Sequence, residues 1–188
     1  MLIIFCLSFM FILVFCLMIH EFGHFIAMHL VHLPVEEVRI GIGPRVFQRG
    51  YFHLHLIPVS AYIQCKEKAV KQLNASKRVL IDLAGIMMNL FVAFLVLLML
   101  HQWIDVPISL LFHPITLFNE SATYLYQAQN TIEFCTILFS IEWVTFNVFI
   151  AVINLIPLPT TDGWEFLCDL KIVLSSLFSK VIHMVFEK

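Results

Sequence analysis

Charged residues are scarce in this chain. They make up 13% of its 188 residues, against about a quarter in soluble domains. With 61% of the residues hydrophobic, an ordinary soluble domain is excluded, and an integral membrane protein with several spans is expected. There is no excess of positive charge either. A formal net charge of −2 argues against a nucleic-acid partner. The five cysteines (Cys6, Cys16, Cys65, Cys135 and Cys168) are scattered and form no C-x-x-C pair, so no disulfide framework is implied. Cys6, Cys16 and Cys135 lie in apolar runs and are expected to be small buried hydrophobes. The N-terminus lacks the basic region of a signal peptide, and its apolar run is too long for one, so a retained span is expected. No internal repeat and no low-complexity segment occurs.

What the chain does have is Ile19-His20-Glu21-Phe22-Gly23-His24-Phe25, an H-E-x-x-H run at the end of an apolar stretch that begins at Leu2. On a helix His20 and His24 sit one turn apart on one face. Two imidazoles so spaced suit one zinc ion, with Glu21 as general base. Ionisable residues inside a membrane helix are costly, about 2.5–3.5 kcal/mol each at the bilayer centre on insertion scales, so they usually serve function. Three within five positions are hard to explain as structure.

Taken in order, the chain reads as a single all-α integral membrane domain covering residues 1–188. Three core spans are expected at about 2–33, 79–100 and 132–156. The first ends at Pro34 and the third at Pro157 and Pro159. The connection 34–78 holds eight of the eleven basic residues. By the positive-inside rule it is cytoplasmic, which puts the N-terminus outside and His20 and His24 toward the cytoplasmic side. Within it, Phe52, Leu54 and Leu56 alternate with His53 and His55, the period of a strand. A small β-hairpin or sheet at the inner face is expected. Residues 101–131 carry Asp105, Glu120 and no Lys or Arg, which suits an outer loop with short interfacial pieces. The last segment, 164–187, spaces its apolar residues along one helical face and is expected to lie on the membrane as an amphipathic helix.

A catalytic zinc site needs a third protein ligand and an open fourth position. That ligand must reach the depth of the histidines. Asp162 follows the proline break where the third span returns to their side, and a carboxylate there satisfies the geometry. The break frees backbone groups at membrane depth, a state tolerated only beside protein or a water-filled cavity.

The motifs together resemble the site-2 protease family of intramembrane zinc metalloproteases. His20-Glu21-Phe22-Gly23-His24 matches the family's first motif. Asn154-Leu155-Ile156-Pro157-Leu158-Pro159-Thr160-Thr161-Asp162-Gly163 matches its N-x-x-P-x-x-x-x-D-G motif. Gly41-Ile42-Gly43-Pro44, Leu56-Ile57-Pro58 and Ala84-Gly85 with Asn89 resemble its loop and middle helix. The chain departs from the family pattern at Ser60-Ala61, Ile86 and Thr160-Thr161. The resemblance implies one zinc held by His20, His24 and Asp162, with Glu21 as catalytic base. The expected form is a compact core without a PDZ or CBS domain.

Other residues carry their own expectations. Asn154 orients the loop or the substrate backbone, or else caps the broken helix. Asn89 faces the active site or bonds across helices. Glu142, in mid-span, is expected to be protonated and bonded to a neighbouring helix. Asp82 is expected to pair with Arg78 one turn away. His53 and His55 form an H-x-H pair without a third ligand. The exposed edge of the Phe52–Ile57 strand would hold an extended substrate by strand addition.

The expected activity is hydrolysis of a peptide bond in or near a transmembrane helix of a membrane-protein substrate, in regulated intramembrane proteolysis. A bacterial inner membrane is the expected location, with the bilayer and a transmembrane substrate as partners. Two alternatives are an inactive relative that binds transmembrane partners and, less favoured, a metal or proton transporter. Transporters often show paired repeats and broken helices in both halves; here one broken helix and no repeat occur.

Overall fold

The computed structural model describes the backbone of residues 2–186 and the side chains of residues 9–57 and 60–182. Position 187 of the expected last helix, and the side chain of Cys6, lie outside these. Three long helices dominate: α1 (Leu2–Leu30), α3 (Ala75–Ile104) and α6 (Thr131–Leu155). All three have the length and hydropathy to cross a membrane. Between α1 and α3 lie strands β1 (Val35–Arg49) and β2 (Phe52–Cys65) and the short helix α2 (Glu67–Gln72). Between α3 and α6 come a 3-10 turn (Ile108–Phe112), α4 (Pro114–Asn119) and α5 (Ser121–Leu125). Helix α7 (Asp162–Phe186) closes the chain.

The helix ends follow from local chemistry. Helix α1 stops three residues before the position expected from Pro34. His32 takes a left-handed φ of 62°, its N–H bonds His29 O, and Leu33 N–H bonds Met28 O. This is a Schellman stop, and Leu33 is buried behind it. Asn74 caps α3 by accepting from Ser76 N–H. Asn130 caps α6 by accepting from Glu133 N–H at 3.0 Å, while the Glu133 carboxylate takes Gln129 N–H at 2.8 Å. That exchange resembles a capping box.

Helix α3 is the central element, packing against α1, α6 and α7. Ala93, Leu97 and Leu100 of α3 meet Ile137, Ile141, Val144 and Val148 of α6 in the largest apolar cluster. The connection 101–131 consists of short pieces, as expected, and they pack inward: Val106, Leu110, Leu117 and Tyr124 are buried in this same cluster. Helix α1 packs on α6 through Ile12, Cys16 and Ile150. It approaches α3 closely at Gly23, where a Cβ would lie 2.7 Å from Met88 Cβ and against Ala84 O. Only a residue without a side chain permits that approach, which explains Gly23 inside the H-E-x-x-H run. Cys135 departs from expectation: it is exposed on α6, whereas Cys16 is buried.

The two strands pair antiparallel, but each is bent. Arg49, Gln48 and Phe47 face Phe52, His53 and Leu54. Val38, Arg39 and Ile40 face those same three residues on their other side, and also Ile63, Tyr62 and Ala61. Phe52–Leu54 is therefore internal to the sheet, not an exposed edge as expected. The free margin next to α1 is the Ala61–Cys65 end of β2.

Candidate metal centre

His20 and His24 lie on adjacent turns of α1, and both are buried. Asp162 is the first residue of α7, not a loop residue as its place after Pro157 and Pro159 suggested. A carboxylate at a helix N-terminus is favoured by the macrodipole. The turn before it is tied locally: Thr161 Oγ1 donates to Ile156 O at 2.6 Å, and Leu158 N–H bonds Thr161 Oγ1 at 3.2 Å. Gly163 lies against the carbonyls of Asn154 and Leu155, which draws the start of α7 onto the end of α6.

The three side chains meet. His20 Nε2 is 2.8 Å from Asp162 Oδ2, His24 Nε2 is 3.2 Å from the same oxygen, and the two Nε2 atoms are 3.1 Å apart. Ligands on a tetrahedral ion with bonds of about 2.0 Å are separated by roughly 3.3 Å, so this triangle is zinc-sized. His24 is also oriented from behind, its Nδ1 lying 2.8 Å from Ile81 O on α3. Such outer bonds set the tautomer of a ligating histidine. Asp162 turns one carboxylate oxygen toward both imidazoles. Among the described residues this is the one group of three or more His, Cys, Asp or Glu side chains close enough to share a metal. The donor set fits zinc: two imidazoles, a carboxylate, and a buried position.

Glu21 stands apart from the triangle and lines a cavity of about 590 Å³ between α1 and the sheet. Phe15, Phe22, Phe25, Tyr51 and Phe52 make most of its wall apolar and aromatic. Ile63 and Ala61, on the free margin of β2, line the same cavity.

Gly85 was missed as a site residue by sequence reasoning. A Cβ there would lie 2.7 Å from His20 Cε1 and Nε2, and against His24 Nε2. The signal was present in the Ala84-Gly85 pair, a glycine within an apolar span.

The remaining residues fall elsewhere. Asn89 is one turn beyond Gly85, fully buried, and neither amide atom has a partner among the described residues. It makes no bond across helices and is not part of the cavity wall. Asn154 donates to Ile150 O of its own helix at 3.1 Å. Glu142 is buried but carries no hydrogen bond among the described residues, so the expected bond to a neighbouring helix is not made. Asp82 does not pair with Arg78, which is taken by Asp169 of α7 at 2.6 Å. The nearer partner on the same helix lost to a carboxylate delivered by another element. His53 binds Glu37 at 2.9 Å, and His55 lies 2.6 Å from Gly43 O. Hydrogen bonds from Arg39 and His53 hold the Glu37 carboxyl at about 2.

Fold and site together define an integral membrane protein with a candidate metal centre between its helices. Residues 8–186 match the sequence model of Peptidase family M50, and the chain belongs to that family, the site-2 protease family its motifs resemble. Three curated bacterial relatives each carry the description "Putative zinc metalloprotease". The one from Fusobacterium nucleatum is 31% identical over 91 residues, covering 42% of this chain and 27% of that protein. The one from Thermotoga maritima is 30% identical over 107 residues, covering 48% of this chain and 21% of its own length. The third, from Clostridium acetobutylicum, is 28% identical over 89 residues, covering 41% and 26%. The chain thus spans about a quarter of the length of these relatives.

Proposed function

We propose that this chain, acting as one membrane domain, is an intramembrane zinc metalloprotease that cuts a peptide bond in or near a transmembrane helix of a membrane-protein substrate. One zinc is held by His20, His24 and Asp162. The observation that carries this is the triangle of donor atoms, no two more than 3.2 Å apart, beside a cavity lined by Glu21. Zinc bound there would supply Lewis acidity toward a scissile carbonyl and an attacking water. Glu21, on the cavity wall, is the residue to take a proton from the attacking water and hand it to the leaving amine. The aromatic wall holds apolar substrate side chains and keeps bulk water out.

A helical substrate hides its amides, so the segment to be cut must be extended. The free margin of β2 suits that role by strand addition. Val38 N–H bonds Tyr51 O, away from its opposite neighbour Ile63. Val38 and Ile63 are therefore a non-hydrogen-bonded pair, and the peptide groups of Ile63 and, two residues earlier, Ala61 point outward toward the cavity side, where the Ile63 N–H faces the Glu21 carboxylate.

The bacterial sources of the relatives and the basic residues of 34–78 support a bacterial inner membrane, with the N-terminus outside and the site toward the cytoplasm. Helix α7 lies on that inner face with its apolar side in the lipid. Family membership supports a role in regulated intramembrane proteolysis.

The test is the full chain in lipid vesicles with a membrane-spanning peptide. Cleavage should stop on chelation and return with zinc. Ala61→Pro, two residues earlier on the same outward side of β2, removes a margin donor without breaking a ladder bond and should slow cleavage about tenfold or more at unchanged zinc content. Cleavage that survives full removal of zinc would refute the proposal, and an unaffected Ala61→Pro variant would remove the strand-addition step alone.

A further inference from the structure

Helix α3 meets every element that carries a ligand. Ile81 O orients His24, and Gly85 accepts the edges of both imidazoles. One turn before this pair, Arg78 reaches across to α7. Its Nε lies 2.9 and 2.8 Å from the two carboxylate oxygens of Asp169, and its Nη2 lies 2.6 Å from Oδ1. Nη1 donates to Leu73 O at 2.9 Å, which fixes the guanidinium at the base of α3. Asp169 is buried. This is a forked, charge-assisted contact, which has directional specificity that a point charge lacks.

Asp169 is seven residues after Asp162 on the same helix. Seven residues are nearly two full turns, so both carboxylates lie on one face of α7, roughly 10 Å apart along its axis. Asp162 stands on the first turn, and the loop before it ties only the backbone start. Rotation of α7 about its own axis is left to the contacts further along. A rotation of 20° would carry a side-chain tip about 5 Å from the axis through roughly 1.7 Å. Metal ligation tolerates about 0.2 Å. Something must therefore hold the rotation of α7, and the fork between Arg78 and Asp169 is the directional contact placed to do so.

We infer that Arg78 and Asp169 are positioning residues: their ion pair clamps α7 to α3 at the rotation that brings Asp162 into the ligand triangle. The inference rests on the zinc reading above. It makes α3 the common reference for all three ligands, by a carbonyl, a missing side chain and a guanidinium.

The experiment measures zinc affinity of the purified full chain by competition with a chromophoric chelator. Cobalt(II) absorption is recorded as the signature of tetrahedral ligation. Asp169→Asn keeps shape and removes the charge; Arg78→Lys keeps charge and removes the fork. Each should weaken zinc binding by about 10–100-fold, the range for lost outer contacts of a metal site, and reduce the cobalt band. The swapped pair, Arg78→Asp with Asp169→Arg, should recover most of the affinity and the band. The clamp is overturned if both single variants bind zinc within about twofold of the unchanged chain, well short of that range, with the same cobalt spectrum. Failure of the unchanged chain to bind zinc would instead overturn the zinc reading itself.

Discussion

Glu21→Gln is expected to abolish peptide-bond cleavage and leave zinc content unchanged. The two effects separate because Glu21 lies outside the donor triangle and lines the cavity instead. Glutamine has nearly the same shape, so the packing of α1 is undisturbed, but its amide accepts no proton at neutral pH. General-base catalysis contributes about 10²–10⁴-fold. A loss of at least about 10³ is expected, because among the described residues no other carboxylate lines the cavity to substitute. Cleavage of a membrane-spanning peptide by the purified variant, with zinc measured on the same sample, checks both halves. Activity within about tenfold of the unchanged chain, far short of a lost general base, would remove Glu21 from its assigned role. The same assay separates the protease from both alternatives. An inactive relative or a transporter would leave the unchanged chain and the variant equally silent.

Gly85→Ala is the smallest change that should empty the metal centre. The added methyl would lie 2.7 Å from two atoms of the His20 ring and against His24 Nε2. Real Cβ atoms do not approach that closely, so one or both rings must shift by roughly half an ångström or more, beyond the ~0.2 Å that ligation tolerates. The methyl cannot retreat, because it is fixed to the backbone of α3. The expected loss is at least 100-fold in zinc affinity, about 2.7 kcal/mol. Thermal unfolding of the metal-free protein should change much less, since the clash falls on the site. Chelator competition measures the first quantity and a melting curve the second. Zinc binding equal to that of the unchanged chain would show that α3 does not back the two imidazoles.

Much of this arrangement was legible in the sequence, for physical reasons. The long apolar runs announce α1, α3 and α6 because no other structure satisfies the backbone in lipid. His20 and His24 share a face because helical periodicity is local. Asp162 could be reached because the proline break and the return of α6 place it at the right depth. What stayed hidden depends on which elements become neighbours. Arg78 has a carboxylate four residues away at Asp82, and local rules favour that pair, yet the fork is made to Asp169, 91 residues distant. Alternation marks Phe52–Ile57 as a strand but does not say that Val38–Ile40 will cover its second side. Likewise the short pieces between Val106 and Tyr124 carry no long periodicity, so their burial between α3 and α6 could not be read from pattern. Gly85 shows the same limit from the other direction: its meaning is the space it leaves, and that space is defined by α1.

The most direct test of the central claim is X-ray absorption at the zinc edge on the purified full chain. One zinc per chain is predicted, with two imidazoles and oxygen ligands at about 2.0–2.2 Å. Less than stoichiometric zinc, or a sulfur shell at about 2.3 Å from one of the five cysteines, would contradict it.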